Sequence, residues 1–411
     1  MKEDFVGRLL SFIIFPFITF IYSFRTLYLK SSQLIFFLWG LLFAWSMHYV
    51  NFANGIDMIE IIRYFYSEPQ IHFSDVFDAY SNTFDDHGDI RSYNLVVFWL
   101  TRLFSNNYHF MFLVASVPFM FFMVKSVSEL LKNFHSYKVI LVVLVILFIM
   151  PKNFFAIQNF RFATASWLAI YSSIQFFHYK RYFYIFGILS CIFIHTSFVF
   201  YLIIFVLTVV CSKAVNLSLL FKFYYLSIPF AFISADLFSE LNYSILPPVF
   251  QRWIASYLSK DSFEIYGNMS YLKGSGFFFV TAIFTLLKNI LYIYLPIKML
   301  SISSKNNLEL NKSFLFYHFL IFFTICNIVQ CIPSLGSRYF DLVRILAVFL
   351  WAKYIPLNYH NNKFILLLFS VCSYELVTVI LPQIFMVQDI DFFFNNLISL
   401  IVKFIGINSL V

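Results

Sequence analysis

The sequence predicts an all-α polytopic membrane protein with about 11 to 12 transmembrane helices, each long enough to cross a bilayer. Of the 411 residues, 61% are hydrophobic and only 12% are charged, and the mean hydropathy is +0.81. The apolar runs are about 15 to 25 residues long, and a hydrocarbon core of roughly 30 Å needs about 20 helical residues. The alternation of a β-barrel is absent, so the spans must be helical. We treat residues 1–411 as a single integral membrane domain.

The candidate spans follow from the apolar runs in chain order. They are 9–24, 33–50, 108–124, 139–151, 162–178, 183–209, 223–238, 276–297, 313–332, 340–355, 364–381 and 389–405.

Short loops rich in lysine and arginine orient these spans, because positive charge is retained on the cytoplasmic side. Basic residues flank the run 183–209 on both sides, with Lys180 and Arg181 before it and Lys213 after it. This run must therefore enter and leave on the same side, as a broken helical hairpin with His195 near the break, or else form one long tilted span. Lysines that flank spans also account for the net charge of +8, so we expect no nucleic-acid partner.

Two long hydrophilic segments then face the outside. The first, residues 51–107, is acidic and has apolar spacing that predicts amphipathic helices on the membrane surface. The second, residues 236–276, begins near Pro247 and Pro248 and ends at Gly274 and Gly276. A loop of this length bracketed by glycines over a membrane core predicts a lid.

Arginine and lysine are distributed unequally between the two predicted sides. The cytoplasmic turns hold only two arginines, Arg25 and Arg181, and the remaining basic residues there are lysines. The outer side holds three lysines and seven arginines, namely Arg63, Arg91, Arg102, Arg161, Arg252, Arg338 and Arg344. Either residue type satisfies the topology rule, whereas only arginine offers a planar fork that binds phosphate bidentately. The outer face therefore predicts a site for a lipid-linked phosphate or pyrophosphate.

Arg161 is the clearest candidate, together with Gln158 at the start of the same predicted helix. No acidic residue lies within a helical turn of either one, so a ligand-facing role is favoured over a snorkelling interfacial arginine. His195 lies within an apolar run, where a polar side chain is costly unless it faces a cavity or a partner. His195 is therefore either a functional residue or a core histidine that makes a hydrogen bond.

The other arginines have acidic residues nearby. Arg338, Asp341 and Arg344 are spaced three residues apart, which permits a self-neutralising ladder on one helix as readily as a ligand site. Asp57, Glu60 and Arg63 repeat this pattern after the second span. In both places the local ion pair and the ligand site remain open alternatives.

In motif order the chain resembles the EpsG/Wzy family of bacterial polysaccharide polymerases. The motifs are Asp57 with Arg63 and Tyr64, then Gln158 with Arg161, then Phe193, His195, Thr196 and Ser197, and finally Ser337 to Phe340. The resemblance implies a fold related to the GT-C glycosyltransferases and a multi-pass protein of the bacterial inner membrane with its site on the periplasmic side. It also implies a polymerase of O-antigen or a related surface polysaccharide that uses undecaprenyl-pyrophosphate-linked oligosaccharides and has a chain-length regulator as a partner protein.

The resemblance matches Arg161, Arg338 and Arg344 to the basic positions of the family. Gln158, Arg63, Arg91 and Arg252 complete the predicted pyrophosphate-binding set, and Asp57 and His195 are the candidate bases for activating the acceptor hydroxyl. No metal or cofactor is expected, because the pyrophosphate leaving group is already activated. The rival interpretations are an O-antigen ligase or another GT-C-type transferase, a flippase or transporter of the same lipid-linked oligosaccharide, and a membrane acyltransferase.

Overall fold

The computed structural model describes residues 5–48, 56–67, 71–81, 92–132, 134, 138–232, 277–305, 309–330, 332, 335–355 and 362–406. All secondary structure assigned in these ranges is helical, which confirms the predicted all-α class. Four stretches within them are long and apolar enough to cross a membrane, namely Tyr108–Leu131, Val139–His178, Val280–Lys305 and Lys363–Phe385. They coincide with five predicted spans, because 139–151 and 162–178 lie in the same stretch. The predicted span 9–24 is wrong as one helix, because the chain breaks at Phe15 and Arg8 folds back to bond Thr26 and Ser32. The total of 11 to 12 spans and the GT-C arrangement stay predictions.

The described residues form the α-helices that are numbered below. In chain order they are α1 (Phe5–Ile14), α2 (Pro16–Ser23), α3 (Lys30–Trp45), α4 (Ile56–Ser67), α5 (Phe73–Ser81), α6 (Ser92–Arg102), α7 (Tyr108–Leu131), α8 (Val139–Ile149), α9 (Phe160–Ser173), α10 (Ile185–Ile194), α11 (Phe198–Ala214), α12 (Leu217–Ser227), α13 (Phe277–Lys305), α14 (Phe314–Val329), α15 (Leu335–Tyr354), α16 (Asn362–Glu375), α17 (Leu381–Val387), α18 (Ile390–Phe394) and α19 (Leu397–Gly406).

Polar residues set several of these boundaries. The side chain of Asn107 accepts a hydrogen bond from the His109 amide (2.9 Å) at the start of α7. Asn216 does the same for the Leu219 amide at the start of α12 (2.8 Å). Such caps satisfy amide groups that have no partner inside the helix. Isolated polar residues between apolar runs therefore fix where one helix stops and the next begins.

The contacts divide the chain into two compact units. Unit 1 contains Met1–Phe176, Arg181–Val199 and Glu375–Val411, and unit 2 contains Phe177–Lys180 and Phe200–Tyr374.

Unit 1 is built around α7. Helices α3 and α9 both pack on α7, and α10 packs on α9. The α3–α7 approach is close at Gly40, where a side chain would overlap the end of Met120. The C-terminal chain returns to α3, because Gln388 donates to the Phe43 carbonyl (2.7 Å) and the His48 ring bonds to Asp389 (3.1 Å). The candidate residues on α9 and α10 thus belong to a packed scaffold.

Unit 2 is built around α14, which packs against α12 and α15, while α13 packs on α15. His318 of α14 is fully buried and bonds through both ring nitrogens, to Tyr201 (3.0 Å) and Thr208 (2.9 Å). The Thr208 hydroxyl donates its proton to the Ile204 carbonyl (2.8 Å), so it accepts from His318 Nδ1–H. Nε2 then accepts from the Tyr201 hydroxyl. This histidine is a neutral core residue that joins α11 to α14.

The expected break in the run 183–209 is confirmed. Helix α10 ends at Ile194, His195 has an extended backbone (φ −152°, ψ 113°), and α11 begins at Phe198. The return of the chain to the same side, as a hairpin, stays a prediction. Helices α4, α5 and α6 lie within residues 51–107, and the placement of this segment outside the membrane stays a prediction. The predicted lid at 236–276 falls outside the described residues.

Candidate functional site

A pair of 3₁₀ turns connects α8 to α9 in unit 1. They cover Met150–Lys152 and Phe154–Asn159 and are separated by Asn153, whose backbone is extended. The Asn153 side chain accepts from the Phe155 amide (2.8 Å) and donates to the Met150 carbonyl (3.1 Å). Pro151 lies in the first turn and cannot donate to a helical hydrogen bond. The local sequence therefore ends α8 and turns the chain towards α9.

The turn is anchored on α9 by Trp167. Its indole Nε1 donates to the Lys152 carbonyl (3.0 Å), and its ring lies 5.5 Å from the ring of Phe148 on α8. Trp167 is fully buried. This contact holds the backbone of Lys152 at a fixed position beside the first turns of α9, where Arg161 lies.

The buried ring of Phe162 is the centre of the candidate site. The Lys152 ammonium lies 5.2 Å from the centre of this ring, and the His195 ring lies 5.3 Å from it at an angle of 86°. Arg161 is the preceding residue on α9 and is half-buried. The chain thus brings Lys152 and His195 against one aromatic side chain, and Arg161 directly precedes that residue in the first turn of α9. We call this set the cationic cluster, since two of its members carry a positive charge and the third can.

The start of α9 adds to the positive character of the cationic cluster. The first turn of α9 contains no acidic residue, and the side chain of Asn159 makes no capping bond there. The N-terminal end of a helix carries partial positive charge and exposes amide donors, a combination that binds anions. An arginine in this turn gains nothing from the helix dipole.

The hydrogen bonds of His195 define its tautomer. Its Nδ1 accepts from the Ser197 amide (3.3 Å) and is 2.8 Å from the Ser197 hydroxyl. A backbone amide can only donate, so Nδ1 carries no proton in this arrangement and the proton of the neutral ring is on Nε2. His195 is therefore an Nε2–H donor, a chemistry that suits a phosphate oxygen better than a general base acting through Nδ1.

Two tyrosines of the segment 51–107 border the same helices. The Tyr93 ring of α6 lies 6.0 Å from that of Phe160, and the Tyr80 ring of α5 lies 6.2 Å from that of Phe193. Burial raises the pKa of Tyr80 to about 12 and the pKa of Tyr93 further above its usual value. Both phenols are therefore neutral at physiological pH and keep an O–H donor. Sequence reasoning missed them, because tyrosine is too common in this chain for any single one to be noticed.

Helix α4 carries two further predicted residues and packs against the 3₁₀ turn Phe154–Asn159 that contains Gln158. Gln158 is half-buried and Arg63 is exposed. Asp57 lies in the first turn of α4, and its side chain is outside the described residues, as are Arg91 and Arg252. The helix of Asp57 and the segment of Gln158 are thus neighbours, and the role of Asp57 as a base stays a prediction.

The remaining arginines lie on α15 in unit 2. Arg344 bonds to Asp341 (3.1 Å) through Nη1 and to Asn289 of α13 (2.9 Å) through Nη2. The side chains of Arg344 and Asp341 are only 13% and 20% exposed. The motif allowed either a local ion pair or a ligand site, and Arg344 forms the local ion pair with Asp341. Arg338 is half-buried one turn earlier, and its predicted ligand role stays a prediction.

We expect Asp341→Asn to lower the free energy of unfolding by about 2 kcal/mol, because it removes a hydrogen bond between charged groups in a largely buried place. Asp389→Asn is the matched control, since the Asp389 side chain is 50% exposed and its loss is expected to cost below about 1 kcal/mol. Denaturant unfolding in detergent measures both. Equal losses for the two variants would mean that the Arg344–Asp341 pair contributes no more than a surface pair.

Sequence reasoning also missed Lys288 of α13, which is 7% exposed and directly precedes Asn289. The available signal was a lysine inside the predicted span 276–297, where a charge is costly and marks a functional or paired position.

No protein-family model, curated protein or solved structure matches this chain.

Proposed function

We propose that this protein polymerises undecaprenyl-pyrophosphate-linked oligosaccharide repeat units of O-antigen or a related surface polysaccharide. The reaction is a metal-independent glycosyl transfer at the periplasmic face of the bacterial inner membrane. The observation that carries the proposal is the cationic cluster, in which Lys152 and His195 contact Phe162 and Arg161 precedes it in the first turn of α9. The described residues include four helices that are long and apolar enough to cross a membrane, which supports a site at a membrane.

The proposed reaction transfers the growing chain from its lipid pyrophosphate to a hydroxyl of the next lipid-linked unit. The hydroxyl oxygen forms a bond to the anomeric carbon, and the bond between that carbon and the pyrophosphate oxygen breaks. The pyrophosphate leaves with the electron pair, and the hydroxyl proton passes to a base. Negative charge thus develops on the leaving group, where fixed donors are most effective in a site poor in water.

The residues of the cationic cluster have complementary roles in this proposal. Arg161 binds two pyrophosphate oxygens through its guanidinium fork, and Lys152 adds a point charge. His195 donates Nε2–H to a further oxygen, since its Nδ1 is occupied by the Ser197 amide. This assignment leaves the base to Asp57, whose helix packs beside the turn that contains Gln158.

Purified protein supplied only with lipid-linked repeat units tests the activity. A ladder of longer lipid-linked products supports the polymerase. An absolute requirement for lipid A core or for a monosaccharide donor would replace it with a ligase or with another glycosyltransferase. Movement of the lipid-linked unit across vesicle membranes without lengthening would replace it with a transporter.

Substitutions of His195 separate the donor role from the base role. The side-chain amide of Gln lies near the position of Nε2, whereas that of Asn lies near Nδ1. We therefore expect the activity of His195→Gln to stay within about tenfold of the original and that of His195→Asn to fall about 100-fold. The ladder assay measures both variants, and thermal unfolding checks that both fold. Equal, near-complete loss in the two variants at equal stability would instead identify His195 as the base.

A further inference from the structure

We propose that unit 1 binds an anionic phospholipid of the bilayer, with an acyl chain in an apolar cavity beside α2 and α3 and its phosphate at the basic turn between them. This inference does not depend on the polymerase activity.

The cavity has a volume of about 730 Å³, which is within the range of ligand-binding pockets in proteins. Its walls come from α2, α3, α8 and the C-terminal helices, all within unit 1. Representative lining residues are Phe20, Trp39, Phe43, Ile146, Phe154 and Phe385. An apolar cavity of this size leaves its wall atoms without dispersion contacts unless an apolar group fills it. In a bilayer the available apolar group is a hydrocarbon chain.

Polar groups are scarce around the cavity. Among the described lining residues, Arg25 is charged and Asn153 has an amide side chain. The Asn153 amide already bonds to the main chain at Phe155 and Met150. The Arg25 guanidinium is exposed and lies 5.9 Å from the ring centre of Tyr22. The polar end of an occupant is therefore best placed at Arg25.

Further positive charge surrounds the turn that carries Arg25. Arg8 of α1 donates to the Thr26 hydroxyl (2.8 Å) and to the Ser32 hydroxyl, so its guanidinium is fixed beside this turn. Lys30 begins α3 and is exposed. Residues 5–48 contain no Asp or Glu. We call Arg8, Arg25 and Lys30 the basic turn.

Asp389 and Asp391 lie towards the other end of the cavity, whereas Glu375 directly precedes the lining residue Leu376. Asp389 bonds to His48, which follows the C-terminal end of α3, whereas Lys30 is at its N-terminal end. The residues next to Asp391 on α18 contact the same region, since the Phe392 ring lies 4.9 Å from Trp39 and 6.1 Å from Phe43. The cavity thus has a basic end and an acidic end, and a phosphate is accommodated at the basic one.

A bilayer phospholipid fits these features. Basic pockets between membrane helices on the cytoplasmic side bind anionic headgroups, and the predicted topology places Arg25 and Lys30 on that side. That topology puts Arg8 on the opposite side, before the span predicted at 9–24, but its hydrogen bonds to Thr26 and Ser32 place it at the turn of Arg25 instead. The proposed pyrophosphate site at Arg161 lies on the opposite predicted face. The predicted faces thus separate the phosphate of this lipid from the proposed pyrophosphate site, while the cavity wall also includes Asn153 and Phe154 of the connection that carries Lys152 and Gln158.

Native mass spectrometry of the full chain tests the proposal with phosphatidylglycerol and phosphatidylcholine that carry identical acyl chains. The protein is expected to retain phosphatidylglycerol preferentially, and Arg25→Gln is expected to reduce that preference about fivefold. Ile146→Trp fills the cavity and is expected to abolish retention of both lipids. Lys125→Gln and Val402→Trp are the matched controls, because both residues are exposed and neither lines the cavity.

A second measurement needs no cavity-filling variant. Phosphatidylglycerol with brominated acyl chains is expected to quench the emission of Trp39, and the quenched component is expected to disappear in Trp39→Phe. Equal retention of the two lipids, or quenching that is unchanged in Trp39→Phe, overturns the proposal. Displacement of phosphatidylglycerol by an equimolar amount of undecaprenyl phosphate also overturns it, since the cavity would then belong to the lipid-linked substrate.

Discussion

Arg161→Ala is expected to reduce the rate of glycan polymerisation by about 100- to 1,000-fold, which corresponds to roughly 3 kcal/mol of transition-state stabilisation. The reason is that Arg161 lies in the first turn of α9, which has no acidic residue, and directly precedes Phe162, whose ring contacts the Lys152 and His195 side chains. The length distribution and yield of the product ladder measure the effect.

Arg161→Lys tests whether the fork geometry or the charge alone is needed. Lysine keeps the charge but binds a phosphate oxygen only as a point charge, so we expect recovery of less than about a tenth of the activity. Lys125→Ala is the control for loss of a cation, because Lys125 is an exposed residue of α7. Full activity in Arg161→Lys would contradict the fork argument, and normal activity in Arg161→Ala would remove the cationic cluster from the reaction.

The sequence was informative wherever the signal is local. Apolar run length located the four long helical stretches, because the thickness of the bilayer imposes that length. The polar residues of Phe193 to Ser197 located the break between α10 and α11, since an apolar helix has no reason to include them. Arg161 was found by the lack of acidic neighbours, which is also a property of the local sequence.

The sequence was uninformative wherever distant segments meet. The proximity of Lys152 to Phe162 and of Phe162 to His195 depends on how the 3₁₀ turns and α10 pack on α9. Likewise, the local spacing permitted an Arg344–Asp341 pair but gave no sign of Asn289, which is 55 residues away in sequence. The cavity near Arg25 is formed by helices from both ends of the chain. Such contacts are set by tertiary packing, which a periodicity argument cannot reach.

The unequal use of arginine and lysine takes a different meaning once the contacts are known. Arg344 is engaged by Asp341 and Asn289, so one outer arginine is accounted for by local pairing. Arg25, one of the two arginines of the predicted cytoplasmic turns, lines an apolar cavity. The choice of arginine over lysine therefore marks individual places where a planar donor group is useful, rather than one side of the membrane as a whole.

Gly336→Ala is expected to give the largest loss of stability among single methyl additions in the described residues, about 3 kcal/mol. A methyl group at Gly336 would overlap the main chain of the preceding turn, with its Cβ 2.6 Å from the Gln330 carbonyl oxygen and 2.5 Å from that of Val329. The Gly336 amide also donates to the Ile332 carbonyl (3.0 Å) in the connection from α14 to α15. Main-chain atoms cannot rotate away, so the start of α15 would have to shift.

Gly40→Ala is the matched control, because its new methyl group overlaps only the side chain of Met120, which is flexible. We expect a loss of about 1 kcal/mol for Gly40→Ala, and we expect Met120→Val to relieve it in the double variant. Nothing at a side chain relieves the overlap at Gly336, since its neighbours are main-chain atoms of Val329 and Gln330. Unfolding by denaturant in detergent, monitored by circular dichroism, compares the variants. Equal stability of Gly336→Ala and Gly40→Ala would show that the α14–α15 connection moves as easily as a methionine side chain. Gly336 would then have no special role in placing Arg338.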